Sequence, residues 1–241
     1  MKPFIPLLSI LFCSWNIHAQ DLDKSINKDS LLQRLLKDFP EERRRELMTE
    51  YDSEPENGKE LFLFMLSMPR SSKKELISNI DSNYEKIEFL KTAYAKLVPP
   101  GFTVSIEFNP PNKLINTAES IDLCITRLHD SQTDVQQDWN LAYRSEKLTQ
   151  MIKTVHCNVE TLDIIKKLLT DAHCVYFENG EMATIGFARS GMGKYFYKIF
   201  DKELTPDQIK QFNDGRNYIF YKSNIVLEFE GGAVGPQSFP D

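Results

Sequence analysis

The residues PPG at Pro99 to Gly101 divide this 241-residue chain, because the period of its apolar residues changes across them. Before them the apolar positions recur at helical spacing, as in Leu31, Leu32, Leu35, Leu36 and Phe39. After them FTVSIEF alternates, with Phe102, Val104, Ile106 and Phe108 on one side and Thr103, Ser105 and Glu107 on the other. A helix repeats its faces every ~3.6 residues and a strand every ~2, so the two patterns cannot share an element. The expectation is an α+β protein: a helical N-terminal region over 20–98, then an α+β domain over 99–241, the two able to form one continuous domain. The second part should hold a mainly antiparallel sheet of about six or seven strands with packed helices.

In the helical region, Pro40 can open a second helix at its first turn, where the missing N–H does no harm. The longest strongly apolar run, LFLFML at Leu61 to Leu66, reads as one buried helix that stops at Pro69. Ser72 and Glu75 form a capping box for a fourth helix with the stripe Leu76, Ile80, Tyr84, Ile87, Leu90, Tyr94 and Leu97. Beyond the divide, SIDLCITRL makes a second strand with Ile121, Leu123 and Ile125 inward and Cys124 on the opposite face. Two helices follow, one capped by Ser145 and one starting at Asn158 or Thr161. Asn179 and Gly180 predict a tight hairpin turn between VYFE and EMATIGFA, with positive φ at both residues. Gly191 to Gly193 make a second reversal into KYFYKIF; Thr205, Pro206 and Gln208 start a short helix; NYIFY and NIVLEFE pair around Ser223 and Asn224.

The opening MKPFIPLLSILFCSWNIHAQ places one lysine before a short apolar run and a small residue, Ala19, before Gln20. This is the pattern of a secretory signal peptide over 1–19, cleaved after Ala19, and it predicts a periplasmic or secreted protein. The run is shorter than the roughly 20 residues that span a bilayer, and no later stretch approaches that length, so no transmembrane segment is expected. Ile10, Leu11 and Phe12 precede Cys13 where a lipoprotein signal would place small residues. The formal net charge of −6 removes the basic field of a general nucleic-acid binder, so nucleic acid is not an expected partner.

The stretch ARSGMGKY, Ala188 to Tyr195, resembles a phosphate loop only in outline. Aligning Gly193 and Lys194 with the P-loop puts Ala188 at its first glycine and Tyr195 at its hydroxyl position, and a strand pattern follows where a helix is needed. A glycine turn between strands is the expectation, with Arg189 and Lys194 flanking it as candidates for holding an anion. The dipeptide His-Cys occurs twice, and His156, Cys157, His173 and Cys174 together match the ligand set of tetrahedral zinc. A helical stripe between the pairs would hold them ~20 Å apart, which argues against one shared metal and against a Cys157–Cys174 disulfide. Cys124 with Cys174 is the disulfide candidate, beside the alternative that the cysteines are buried and free.

His129 and Asp130 follow the second strand, and Glu228 shares a strand face with Glu230; these are the candidate acid–base groups, unaccompanied by a hydrolase signature. The last third is rich in aromatics, among them Tyr195, Tyr197, Tyr218 and Tyr221, which suit a recognition surface as well as cross-strand packing. The tail GGAVGPQSFPD reads as a recognition loop or as an irregular end laid over the sheet. With no cofactor motif, the expectation is a non-enzymatic envelope protein that binds a protein partner, inhibitor-like or immunity-like. The alternatives are a hydrolase whose site is assembled from His129, Asp130, Glu228 and Arg189, and a structural envelope component.

Overall fold

The structure, a computed structural model, describes residues 23–129, 132–233 and 235–240. Four helices come first: α1 (Lys28–Leu36), α2 (Glu41–Ser53), α3 (Glu56–Ser67) and α4 (Lys73–Leu97). Strands β1 (Phe102–Asn109), β2 (Ser120–His129) and β3 (Gln132–Ala142) follow, then α5 (Glu146–Lys153) and α6 (Val159–Asp171). The chain closes with β4 (Tyr176–Glu178), β5 (Ala183–Ser190), β6 (Gly193–Ile199), α7 (Pro206–Gln211), β7 (Tyr218–Lys222) and β8 (Ile225–Glu230). All eight strands join one antiparallel sheet in the order β3-β2-β1-β4-β5-β6-β8-β7. The α+β class read from the periodicity is therefore the fold, and among the described residues no helix is long and apolar enough to cross a membrane.

The eighth strand is β3, QTDVQQDWNLA, which carries too few apolar residues to alternate visibly. It pairs with β2 as an edge and leaves most of its side chains exposed, so burial imposes no pattern on it. The Asn179–Gly180 reversal also differs from the two-residue turn expected there. Glu178 pairs with Thr184, so the loop is longer, and neither Asn179 nor Gly180 has positive φ. Asn179 instead reaches across to β1, accepting from the Val104 amide (2.7 Å) and donating to the Phe102 carbonyl (2.8 Å).

Two apolar cores form. The larger joins α4, α5 and α6 to the inward face of the sheet, from Leu76, Ile87 and Leu90 through Ile106, Leu123 and Ile185 to Leu227. The capping box of Ser72 and Glu75 starts α4 as the sequence predicts, and Asn83 kinks it. Buried Asn79 ties this layer together, donating to the Ala172 carbonyl (3.3 Å) and the Tyr197 hydroxyl (3.2 Å). The smaller core belongs to α1–α3, with Leu31, Leu32, Leu36, Leu47, Tyr51 and Leu63 buried and Leu114 and Ile115 of the β1–β2 loop packed on it. The LFLFML helix forms, but only Leu63 of α3 is fully buried.

The turn between β5 and β6 is where distant parts of the chain meet. The Gly191 amide donates to the Pro69 carbonyl (2.8 Å) and the Ser190 hydroxyl to the Ser71 carbonyl (2.9 Å), which fixes the link between α3 and α4. Gly191 has φ +59, and Gly232 of the tail passes so close to Met192 that a Cβ there would lie 2.3 Å from the methionine's own. The tail is the irregular end laid over the sheet: buried Phe239 packs 5.9 Å from the rings of Tyr195 and Phe229.

Candidate functional site: the open face of the sheet

Helices α4, α5 and α6 supply the packing on one side of the sheet, and the alternation of each strand sends the remaining side chains to the other. On β6 this sorts the residues cleanly. Tyr195, Tyr197 and Ile199 are fully buried under the helices, while Lys194, Phe196 and Lys198 point to the other, open face, where Phe196 is itself buried edge-on against Tyr176 at 5.5 Å. The assignment of Tyr195 and Tyr197 to a recognition surface is thereby corrected; Tyr197 spends its hydroxyl on the Leu76 carbonyl (2.8 Å). The lysines at 194 and 198 were the signal for this register, since a flexible cation on a half-buried strand marks the solvent side.

At the centre of the open face sits Glu107 of β1, only 3% exposed. Arg189 donates to it through Nε (2.9 Å) and ion-pairs with the same oxygen through Nη2 (2.7 Å), and Lys194 pairs with its other oxygen. Arg189 also reaches Asn109 at 3.3 Å, and Lys194 lies 5.6 Å from the centre of the Tyr176 ring. The two cations that flank the glycine turn are thus already engaged by a carboxylate from β1, which corrects their reading as a free anion site. Burial of Glu107 is tolerated because both oxygens are charge-paired. Nothing local in the sequence joins Glu107 to these two cations, which lie 82 and 87 residues further along the chain.

Further along the face, Lys198 and Glu228 pair at 3.0 Å, both mostly buried. Tyr218, whose ring lies beside Glu228, has its hydroxyl pushed up to about 12, first by burial and then by that carboxylate. Glu228 is therefore held in a structural pair. His129 ends β2 opposite Gln132, and Asp130 lies outside the described residues. Five strand steps separate β2 from β8, about 24 Å along the sheet at ~4.8 Å per step. Arg189 sits between them on Glu107, so the strands carrying His129 and Glu228 are held apart.

The His-Cys pairs have a shared explanation. His156 and His173 adopt positive φ, +56 and +52, directly after α5 and α6. The His156 amide donates to Lys153 and the Cys157 amide to Ile152 (both 3.0 Å); His173 and Cys174 repeat this with Thr170 (3.1 Å) and Leu169 (2.9 Å). Both dipeptides are Schellman caps, with the histidine in the left-handed position and the cysteine folded back into the core. The thirteen residues of α6 keep the pairs ~20 Å apart. Burial pushes the Cys157 thiol up and the Cys174 thiol up to about 12, so both stay protonated near neutrality. Cys124, Cys157 and Cys174 are free, and the expected Cys124–Cys174 bridge is not formed: Cys124 lies on the open face and Cys174 beneath the helices.

At the edge, β3 presents Val135, 56% exposed and paired with Thr126 on the open face, and Trp139, 57% exposed where the β2–β3 register shifts. Two shallow grooves lie elsewhere: one of about 270 Å³ between α4 and α6, lined by Phe89 and Leu168, and one of about 220 Å³ beside Phe102 and Arg127. Both are smaller than the roughly 300–1,000 Å³ of small-molecule sites. The chain matches no family model, no curated protein and no solved structure.

Proposed function

We propose that this chain is an exported, non-enzymatic protein of the cell envelope that binds a protein partner, in the manner of an inhibitor or immunity protein, through the open face of its sheet and the β3 edge. The observation that carries this reading is the pair Val135 and Trp139, both exposed on β3, the edge strand of the sheet. Tryptophan is the residue type most enriched at energetic centres of protein interfaces, and an edge strand offers unpaired N–H and C=O groups to an incoming strand. The charges on the face are largely satisfied internally by the Glu107 and Glu228 pairs, so they frame an interface without demanding a counter-ion. The acidic net charge supports a protein over a nucleic acid as the partner.

The test is affinity capture from envelope and culture fractions of the producing cell, with the full chain and its Trp139→Ala and Val135→Asp variants as bait. Capture of one protein by the wild type, weakened at least about tenfold in Trp139→Ala, is the expected result. Capture that ignores both substitutions removes the open face from the reading; recovery only with peptidoglycan replaces it with a structural role. Export rests on the sequence MKPFIPLLSILFCSWNIHAQ, and mass spectrometry of the protein from its own cells should find Gln20 at the N-terminus.

A further inference from the structure

Helix α3 carries more apolar surface than its own core uses. Lys28 of α1 pairs with Glu56 (3.0 Å) and Glu60 (2.7 Å), and the Phe62 ring meets Tyr51 of α2 edge-on at 5.8 Å. Phe62, Leu63 and Leu66 therefore face the module. At about 100° per residue, Leu61, Phe64 and Met65 lie on the opposite side of the helix, and Met68, its C-cap, follows at the end. Their spacing is i, i+3, i+4, i+7, that of a stripe packed against a second helix. None of the four belongs to either core; Leu61 is 62% exposed, and Phe64, Met65 and Met68 are half-buried beside it.

The ends of this stripe carry opposite charges. Gly58, three residues before Leu61, continues its line, and the Glu54 carboxylate lies over it: a Cβ at 58 would fall 2.3 Å from Glu54 Oε2. Arg70 stands at the other end, stacked on the Phe39 ring at 4.2 Å and reaching the Leu66 carbonyl at 3.4 Å. Among the described residues neither Glu54 nor Arg70 has an ion-pair partner.

We infer that the chain self-associates through α3, as a two-fold dimer in which two copies of the helix run antiparallel. That arrangement sets Leu61 against Phe64 of the second copy and places Met68 beside Asn57. It also brings each Glu54 to the Arg70 of the other copy, twice by symmetry. An antiparallel pair opposes the helix dipoles favourably, and a parallel pair would set like charges together.

Sedimentation of the full chain over a concentration series to about 100 µM, the range of weak interfaces, should show a monomer–dimer equilibrium. Leu61→Glu should weaken it at least about tenfold with the melting temperature unchanged, because Leu61 makes little of the folded monomer. Glu54→Arg and Arg70→Glu should each weaken it, and the double reversal should restore it. A chain monomeric throughout, or a dimer indifferent to Leu61→Glu, overturns the inference. A double reversal no stronger than the single ones overturns the antiparallel arrangement, and capture of a different protein on the stripe by a monomeric chain overturns self-association.

Discussion

The two cores are built from similar residues and differ in how many elements close over them. Leu90 of α4 and Leu63 of α3 are both fully buried. Leu90 lies between a long helix and a wide sheet, with α6 alongside; Leu63 lies in a three-helix unit that leans on Leu114 and Ile115 of a loop. Apolar content alone therefore does not decide burial. The apolar stretch Leu61 to Leu66 ends up with a spare face, because a unit this small has too little interior to cover it.

Removing the same atoms from each core should expose that difference most strongly. Leu90→Ala should cost about 2–5 kcal/mol and lower the main unfolding transition, read by urea titration. Leu63→Ala should release amide protection in α1–α3 while leaving the sheet protected, read by hydrogen exchange. If Leu63→Ala lowers the sheet's protection equally, the two cores unfold as one unit.

Glu107→Ala leaves Arg189 and Lys194 without their carboxylate. Breaking a buried pair costs roughly 3–5 kcal/mol, and because both cations still reach water a loss of about 2 kcal/mol is expected. Thermal melts of the sheet, with no change in α1–α3 exchange, would place this triad wholly on the sheet side.

The thiols give a smaller, graded comparison. Cys124 should react with a thiol reagent in the folded protein, Cys157 slowly and Cys174 only on unfolding. Because burial raises the Cys174 thiol from 9.0 to about 12, the folded state holds its proton more tightly than the unfolded chain. Its contribution is complete below pH 9 and declines as pH rises toward 12. Cys174→Ala should flatten that alkaline loss.

The smallest effects belong to the helix caps. His156→Gly and His173→Gly should hold or raise stability by up to about 1 kcal/mol, since glycine takes positive φ without strain. His156→Val should lower it by about 1–2 kcal/mol. Equal losses from both kinds of substitution would show that the imidazoles, and not the backbone shape, matter at these positions.

The features readable in the sequence were those governed by local period or local hydrogen bonds. The α4 stripe, the Ser72 and Asn158 caps, and the turn at Ser223–Asn224 all rest on neighbours within a few residues. Strand β3 escaped because an exposed edge has no burial to write into its sequence. Asn179 and Glu107 escaped because their partners on other strands lie some eighty residues away. For the open face, the lysines of β6 were visible, but their meaning depended on knowing which side the helices would take.

The turn at Ser190–Gly191 carries a consequence in time as well as in space. It joins residues 119 apart in sequence and also lies against the C-terminal tail, so its contacts close only after β5 and β6 have paired and the last strand is in place. Closing loops of that span is slow compared with forming helices. The α1–α3 unit, first to be synthesised, is therefore among the last to be locked down, and during that interval its apolar α3 is open to whatever the chain meets first.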